Sequence, residues 1–302
     1  MMGDMKERVL QVLKENASEY ISGEMLSRQL RVSRTAVWKH INELKREGYA
    51  IESSTKKGYR LMPASDILNE YEIRWGLETE IIGRDIRYFD EIDSTNNYAK
   101  RIACEGCNEG TVIVADCQTA GRGRLGRSWL SSAGKGIWMS VVLKPRIPPE
   151  DVQIITLAAS VAVCRAIAAV TGIHAEIKWP NDVVLGGKKL CGILTEMNTE
   201  MEQVNFLVLG IGVNVNHGEE DFPGELRNIA TSLRAFARTG YKDTGGKGEE
   251  TEFSRSRIIR RILLELEDVY NKINDGLTSE IMEEWKKYSA TLGRMVRICG
   301  RN

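Results

Sequence analysis

The 302-residue sequence contains few histidines and no framework of paired cysteines, and both shortages narrow its chemistry. The three histidines, at positions 40, 174 and 217, are scattered, so the sequence supports neither a Ser/His/Asp triad nor a histidine metal site. Only Cys104 and Cys107 form a CxxC pair, and no second pair completes a zinc site. The motifs GxxxxGKS/T and HExxH are also missing, so we predict neither a P-loop nor a protein-held metal.

The sequence also lacks a signal peptide and a hydrophobic run long enough to cross a bilayer. Its longest apolar run, Ile154–Cys164, is much shorter than the roughly 20 residues of a transmembrane helix. We therefore predict a buried helix there, no membrane association and a cytoplasmic location. Basic and acidic residues balance at 42 each, but residues 1–62 carry an excess of four positive side chains. This excess favours an anionic partner for the N-terminal region.

The first sixty residues predict three short helices followed by a hairpin. Apolar residues at helical spacing mark the first helix, Ser22 can cap the second, and Ser33 can cap a third that ends at Gly48. The third helix is basic near its N-terminus, as in helix-turn-helix proteins, where the second helix of the motif enters the major groove. The segment YAIESSTKKGYRL then predicts a basic hairpin, a wing suited to phosphate contacts.

We therefore predict a winged helix-turn-helix DNA-binding domain over residues 1–62, ending at the break MPASD. The alternative is a three-helix interaction module whose charges are only solvated. Arg60 of the wing is one candidate phosphate contact. The other candidate DNA contacts are polar or aromatic side chains of the third helix and lysines of the wing: Ser33, Arg34, Thr35, Trp38, Lys39, Lys56 and Lys57.

From residue 80 the pattern changes to short strands. Helices are predicted near 96–105, 150–170 and 255–274, and Gly186-Gly187 predicts a two-residue hairpin turn. Because hairpins join several neighbouring strands, we predict an α+β fold with a mixed or mostly antiparallel sheet over residues 63–287. The predicted strands are 111–115, 136–143, 175–179, 182–186, 189–197 and 203–215.

The stretch GRGRLGRSW, residues 121–129, matches the GxGxxG pattern of dinucleotide-binding turns but lies in the wrong context. Such a turn directly follows a strand, opens a helix and is followed by an acidic residue about 20 positions on. Here DCQTA separates the strand from the first glycine, a further strand follows, and no acidic residue lies between Asp116 and Glu150. We interpret the loop as a flexible clamp in which Arg122 and Arg124 bind a carboxylate or phosphate; the alternative is a solvated basic loop.

Two further polar clusters flank predicted strands and helices. In KWPNDVV, Lys178 ends a strand just before a turn, where its ammonium could neutralise a developing oxyanion or phosphate. The alternative is that Pro180 and Asn181 form only a hairpin turn. In DSTN, the short side chains of Ser94 and Thr95 could cap a helix, bind a small polar ring, or do both.

These motifs, with KKLCGILTEM and GIGVNVN in the same order and spacing, resemble the biotin protein ligases. The N-terminal winged domain extends the resemblance to the bifunctional ligase and repressor form of that family, from about residue 5 to residue 299. The resemblance implies a class II synthetase-like catalytic fold. It also implies that biotin and ATP, with Mg²⁺, form biotinyl-5′-AMP and that biotin then passes to a lysine of a biotin carboxyl carrier protein. A homodimer loaded with the adenylate would bind operator DNA.

The resemblance also implies roles for individual residues. Lys178 and Arg124 would be catalytic, and Ile193, Leu194 and Val213 would form an apolar wall. The loop from Asn214 to Phe222 would order around adenine. The implied biotin-binding residues are Ser94, Thr95, Asn96, Gln118, Arg122, Gly123, Arg124 and Lys178. The implied adenylate-binding residues are Arg122, Arg124, Trp129, Asn181 and Asn214.

Members of the family usually end in a small SH3-like barrel. We interpret residues 288–302, which end in TLGRMVRICGRN, as the start of such a barrel, apparently truncated. Two functional alternatives remain open: a biotin-responsive repressor without turnover, and a lipoate or other acyl-adenylate ligase. Release of pyrophosphate from biotin and ATP separates the first alternative from a ligase.

Overall fold

The chain divides into two compact units, Met1–Ile67 and Leu68–Asn302, in a computed structural model. The structure describes residues 4–17, 19–62, 66–200, 203–239 and 252–295. In its described part, the first unit consists of helices α1 (Met5–Glu15), α2 (Gly23–Leu30) and α3 (Arg34–Arg46) and strands β1 (Ile51–Ser54) and β2 (Gly58–Leu61).

Local sequence signals set the bounds of α2 and α3. The Ser22 hydroxyl accepts a hydrogen bond from the Met25 amide (3.0 Å), and the Ser33 hydroxyl accepts one from the Ala36 amide (3.1 Å). Both predicted N-caps are thus confirmed. Arg31 follows α2 in the left-handed conformation, with φ of 56°, and this reverses the chain within a few residues. The apolar faces of the three helices form a core that includes Val9, Leu13, Leu26, Val37, Ile41 and Leu44.

The predicted wing is an antiparallel hairpin of β1 and β2, steadied by a third segment. The backbone of Ile21 exchanges two hydrogen bonds with that of Tyr59, at 2.8 and 2.9 Å. Gly58 has a φ of 102°, and a Cβ there would lie 2.1 Å from the Ile21 carbonyl oxygen. Only glycine fits this close approach, so the glycine of STKKG fixes the end of the wing.

The second unit is built on a seven-stranded mixed sheet in the order β3-β4-β5-β9-β8-β7-β6. Strands β3 and β4 are parallel and all other neighbours are antiparallel, which confirms the predicted mixed α+β sheet. The described elements are α4 (Glu70–Arg74), β3 (Ile86–Ile92), α5 (Thr95–Cys104), β4 (Val112–Gln118), β5 (Gly136–Leu143), α6 (Gln153–Thr171), β6 (Glu176–Lys178), β7 (Asp182–Leu185), β8 (Lys188–Glu200), β9 (Gln203–Asn214), α7 (Leu233–Arg238), α8 (Arg255–Asn274) and α9 (Thr278–Tyr288).

Sequence patterns did not predict β3, α9 or the short helices α4 and α7. β3 has the sequence IRYFDEI, and its charged residues hide the period-two pattern of an edge strand. α9 is mostly charged and buries only Ile281 and Trp285, so its apolar stripe is too sparse to recognise. In the region where a C-terminal barrel was predicted, residues 291–295 form no strand, and residues 296–302 lie outside the described part.

The two faces of the sheet are covered differently. One face packs against α6, which is apolar on all sides and in turn packs against α8. The segment Pro149–Thr171 is long and apolar enough to span a membrane, but most of it is buried in this core. The other face is covered by α5 through a small cluster that includes Ala99, Ile102, Val142 and Val208. Beyond the N-terminus of α5 lies a cleft on the same face.

Candidate active site and DNA-binding surface

The floor of the cleft is sheet backbone without side chains. Gly192 of β8 and Gly212 of β9 face each other in register on the side of the sheet that α5 covers. A Cβ at Gly192 would lie 2.8 Å from the Trp129 ring, and one at Gly212 would lie 2.7 Å from Trp129 Nε1. Both positions therefore require glycine for Trp129 to pack there.

The cleft has about 470 Å³ of space, a figure that includes solvent at its open mouth. Residues from six separate segments of the chain line it. Those predicted from the sequence are Ser94, Thr95, Asn96, Gln118, Arg122, Gly123, Arg124, Trp129, Asn181, Ile193 and Leu194. The lining residues that were not predicted include Trp138, Met139 and Lys189.

The N-terminus of α5 forms the polar end of the cleft. Ser94 caps the helix, with its hydroxyl 3.5 Å from the Asn97 amide. The same residue also lines the cleft. The Thr95 amide and hydroxyl both donate to Gln118 Oε1, at 2.9 and 3.1 Å, and Gln118 Nε2 donates to the Ser131 hydroxyl at 2.8 Å. Gln118 is therefore held in one orientation beside the helix terminus.

Asn96 extends this network toward β8. Its Nδ2 donates to Glu196 Oε2 at 2.9 Å, and its Oδ1 lies 2.6 Å from the Ser140 hydroxyl. Burial alone would raise the pKa of the Glu196 carboxyl. Hydrogen bonds from Asn96 and Lys100, together with the nearby cations, outweigh burial and lower that pKa below its ordinary value. Glu196 is therefore an anion at neutral pH.

The loop from Gly121 to Trp129 closes on itself and reaches across the cleft. The Gly123 amide donates to the Arg127 carbonyl at 2.7 Å, and the Trp129 amide donates to the Gly121 carbonyl at 2.9 Å. Leu125 has a φ of 58°, in the left-handed region where a residue other than glycine is strained. Its side chain is 73% exposed, so burial does not offset this strain.

Two arginines of the loop are held by opposite walls of the cleft. Arg122 Nη1 donates to Asn97 Oδ1 at 2.8 Å, on the α5 side. Arg124 Nη1 donates to Asn181 Oδ1 at 3.2 Å, on the β7 side, where Asn181 is itself fixed to the backbone of Ile193. Both guanidinium groups thus line one cavity, as a clamp for an anion requires.

The predicted catalytic Lys178 does not line the cleft. It is exposed at the end of β6, next to the cis Trp179–Pro180 peptide bond. Its register partner is Asp182, which in turn lies opposite Gly192. Residues in register share a sheet face, so Lys178 lies on the face that carries the cleft, toward the sheet edge.

Lys189 is the lysine that lines the cleft, and sequence reasoning missed it. Its Nζ lies 2.7 Å from Asp182 Oδ1 and 5.1 Å from the centre of the Trp129 ring, a cation–π distance. A β-bulge explains why the alternation of side chains along β8 does not predict its position. Val183 pairs with Cys191 and Val184 pairs with Lys189, so Leu190 is an extra residue in β8. The bulge reverses the face on which Lys189 lies.

The region predicted to surround adenine lies at the end of β9. Asn214 is buried, and its Nδ2 donates to the Thr231 carbonyl at 3.0 Å rather than facing the cleft. Val213 points into the core on the other face, so its predicted place in the apolar wall was wrong. The fully buried His217 ring stacks on Phe222, with centroids 5.0 Å apart.

His217 is unusual because neither ring nitrogen has a hydrogen-bond partner among the described residues. Burial lowers its pKa to about 4, with a smaller opposing effect from Asp221 and a smaller reinforcing one from Lys135. The imidazole is therefore neutral at physiological pH. Within the described part of the chain, no group of three or more potential metal-ligating side chains comes together.

The N-terminal unit presents all of the predicted DNA-contacting residues to solvent. At the start of α3, the exposed residues are Ser33, Arg34, Thr35, Trp38 and Lys39, and at the tip of the wing they are Lys56 and Lys57. Trp38 is 59% exposed, although its neighbour Val37 is fully buried. One face of α3 therefore builds the core while the other is free for a groove of DNA.

Arg60 differs from Lys56 and Lys57 because its guanidinium already forms a salt bridge with a carboxylate. Its guanidinium donates to Glu52 Oε2 at 2.6 and 3.2 Å, and the Tyr20 hydroxyl donates to the same oxygen at 2.8 Å. The guanidinium also lies 4.6 Å from the centre of the Tyr20 ring. A phosphate contact by Arg60 would have to compete with Glu52, and this contact stays a prediction.

Comparison with protein families gives two matches that follow the two units. Residues 6–60 match the model of an HTH domain, which belongs to DNA-binding proteins. Residues 88–214 match the model of the biotin/lipoate A/B protein ligase family. The second match begins within β3 and ends with β9, so it contains the cleft.

Individual relatives extend the match to nearly the whole chain. The bifunctional ligase/repressor BirA of Bacillus spizizenii is 43% identical over 98% of this chain and 88% of its own length. The bifunctional ligase/repressor BirA of Escherichia coli is 32% identical over 93% of this chain and 81% of its own. The structure of Aquifex aeolicus biotin protein ligase with biotin and ATP is 31% identical over 70% of this chain and 80% of that one, with a TM-score of 0.57. This chain belongs to the family of bifunctional biotin ligases and repressors.

Proposed function

We propose that the cleft binds biotin and ATP, joins them as biotinyl-5′-AMP with release of pyrophosphate, and then passes biotin to a lysine of a biotin carboxyl carrier protein. The observation that carries this proposal is the meeting of Arg122, Arg124 and Lys189 around one glycine-floored cavity. Opposed anions repel, so a carboxylate can attack a phosphate only where cations neutralise both.

The two ends of the cleft suit the two parts of biotin. The fixed polar groups at the N-terminus of α5, chiefly Ser94, Thr95 and Gln118, supply donors and acceptors for a ureido ring. The bare backbone at Gly192 and Gly212 leaves room for the apolar ring and chain beside Trp129. Biotin bound in this way directs its carboxylate toward the arginine loop.

In the first step, the biotin carboxylate oxygen attacks the α-phosphorus of ATP, and the bond from that phosphorus to the bridging oxygen of pyrophosphate breaks. Arg124, held by Asn181, stabilises the charge that builds on the phosphoryl oxygens. Lys178 lies on the same sheet face and would turn its ammonium to the carboxylate and α-phosphate when both are bound. Holding both reactants supplies the effective concentration that a weak nucleophile needs.

In the second step, the amine of the carrier lysine attacks the activated carbonyl and AMP leaves with the bond electrons. No covalent intermediate with the protein is required. Asp182 and Glu196, the carboxylates beside the cleft, are each paired with a lysine rather than grouped as metal ligands. Mg²⁺ would therefore accompany ATP as part of the nucleotide substrate rather than occupy a site held by the protein alone.

The regulatory role follows from joining this cleft to a DNA-binding unit. We propose a winged domain over 1–62, a catalytic domain over 63–287 and the start of an SH3-like domain over 288–302. The adenylate would order the loops around the cleft and favour a homodimer, whose paired winged units bind operator DNA in the cytoplasm. Biotinyl-5′-AMP would act as the corepressor because it binds the state with ordered loops, which dimerises, more tightly than the other state.

The deciding experiment incubates the protein with labelled biotin, ATP and a carrier domain and follows both pyrophosphate release and label on the carrier. Label on the carrier is the expected result. Pyrophosphate release without transfer would leave an adenylate-forming protein, and no release at all would leave a repressor without turnover. A parallel reaction with lipoate separates the two substrate classes that the ligase family joins.

A further inference from the structure

Glu196 is a negative charge beside a cleft that is proposed to receive a carboxylate. It lies on β8, and its side chain is 23% exposed. Its Oε1 accepts a hydrogen bond from Lys100 Nζ at 2.9 Å, and its Oε2 accepts one from Asn96 Nδ2 at the same distance. Arg122 Nη1 of the arginine loop lies 3.7 Å from Oε1. Glu196 thus contacts the helix, the strand and the loop that frame the cleft, although it does not line the cleft itself.

The ionised carboxylate sets the direction of the neighbouring hydrogen bonds because it can only accept. The NH₂ group of Asn96 must face Glu196, so its Oδ1 faces the Ser140 hydroxyl, which then donates across 2.6 Å. Ser140 has a single hydrogen and donates it to Asn96, while Thr95 donates its own hydroxyl hydrogen to Gln118, so the 2.8 Å contact between the two hydroxyl oxygens carries no hydrogen bond. The anion therefore orients the amide of Asn96, a side chain that lines the cleft.

Packing supports a role beyond a simple link between helix and sheet. A Cβ at Gly210 would lie 2.2 Å from Asn96 Oδ1, so Asn96 is pressed against bare strand backbone. A salt bridge between Lys100 and Glu196 would by itself attach α5 to β8 with no demand on residue 210. The glycine is needed only because the Asn96 amide occupies that place with its oxygen toward Ser140.

We propose that Glu196 is a positioning residue for biotin: it fixes the amide orientation of Asn96, so that the ring end of the cleft is preformed. This inference rests on the proposed function, since it concerns the same site. Its contact with Arg122 also holds the arginine loop near α5 before an anion enters. The charge of Glu196 is neutralised by Lys100, so it need not repel the substrate carboxylate.

The test measures binding of biotin alone by calorimetry, without ATP, in Glu196→Leu and Glu196→Gln. The matched control is Glu200→Gln, an exposed glutamate at the end of the same strand. Loss of a charge-assisted hydrogen bond predicts about tenfold or more weaker binding for Glu196→Leu. Glu196→Gln should lose less, because its amide oxygen can still accept from Asn96. The loss should appear in the KM for biotin more strongly than in the maximal rate of pyrophosphate release.

A second arm repeats Glu196→Leu in an Asn96→Ala background, where it should cause no further loss of biotin affinity. Wild-type affinity in Glu196→Leu, an undiminished loss in the Asn96→Ala background, or a loss confined to the maximal rate would each overturn the positioning role. If the leucine variant does not fold, wild-type affinity in the glutamine variant overturns it instead. Failure of the wild-type protein to bind biotin would overturn the proposed function itself, which is a distinguishable result.

Discussion

The DNA-binding unit and the cleft of the ligase unit place their functional side chains in opposite ways. In the first unit, five residues at the start of α3 and two lysines at the wing tip carry the predicted exposed surface, while neighbouring residues build the core. In the second, α5, the arginine loop, the turn before β7 and strands β8 and β9 each contribute only a few residues. Local periodicity predicts the first kind of site, whereas only sheet register predicts the second.

The comparison predicts that changes at the ligase site affect chemistry and leave the intrinsic DNA affinity of the winged unit intact, and a large effect is expected at Lys178, which lies on the cleft face of the sheet without lining the cleft. Lys178→Ala should slow adenylate formation by about 100-fold, because it removes a cation from the charge that develops on the carboxylate and phosphate. The measurement is single-turnover formation of the adenylate. Lys188→Ala is the matched control, since its ammonium donates to the Arg227 carbonyl. Equal rates in the two variants would remove Lys178 from the mechanism.

The next effect concerns the glycine floor. Gly212→Ala should displace Trp129, because the new Cβ would lie 2.7 Å from its ring nitrogen, and should weaken biotin binding about tenfold. Gly224→Ala, where no atom lies within 4 Å of the added Cβ, should bind biotin normally. Titration of biotin onto both variants makes the test, and normal binding by Gly212→Ala would mean that the floor is not part of the biotin site.

The third prediction concerns the pH dependence of stability, which should depend on the buried His217 and not on the exposed His174. The pKa of His217 is lowered to about 4 in the folded protein, from an unfolded value of about 6.5. The unfolded state therefore binds a proton first as pH falls, so this residue destabilises the fold progressively between about pH 6.5 and 4, by up to about 3 kcal/mol. His217→Phe should abolish that part of the slope in denaturant-unfolding free energies, and His174→Ala, at an exposed position, should not. A slope unchanged by His217→Phe would contradict the assignment.

The smallest effect is expected in the DNA-binding unit. Arg34→Ala should weaken operator binding and reduce the slope of log affinity against log salt by about one, without changing adenylate formation. Arg46→Ala, at the other end of α3, should leave that slope unchanged because the helix is expected to enter the groove by its N-terminus. Equal losses in both variants would mean that α3 does not read DNA in this orientation.

The sequence predicted most of the elements and eight of the polar or aromatic residues around the cleft, and the exceptions have physical causes. Strand β5 and helix α8 match their predicted bounds because their apolar patterns are unbroken. Lys189 was not predicted as a lining residue because a bulge interrupts the alternation of side chains along β8. Glu196 lies four residues after Gly192 on β8, so strand alternation alone places it on the cleft face. It was not predicted because a carboxylate is not expected beside a site for anions. Val213 was misplaced because an apolar residue can face either side of a sheet that is covered on both faces.

The proposed chemistry requires arginine side chains that converge to hold two anions together, and biotin-dependent exchange of pyrophosphate into ATP measures this directly. The comparison is Arg124→Ala, whose side chain lines the cleft, with Arg127→Ala, from the same exposed loop but outside the lining. We expect a loss of exchange of about 100-fold or more in Arg124→Ala and nearly normal exchange in Arg127→Ala. Equal exchange in the two variants would contradict the proposed chemistry.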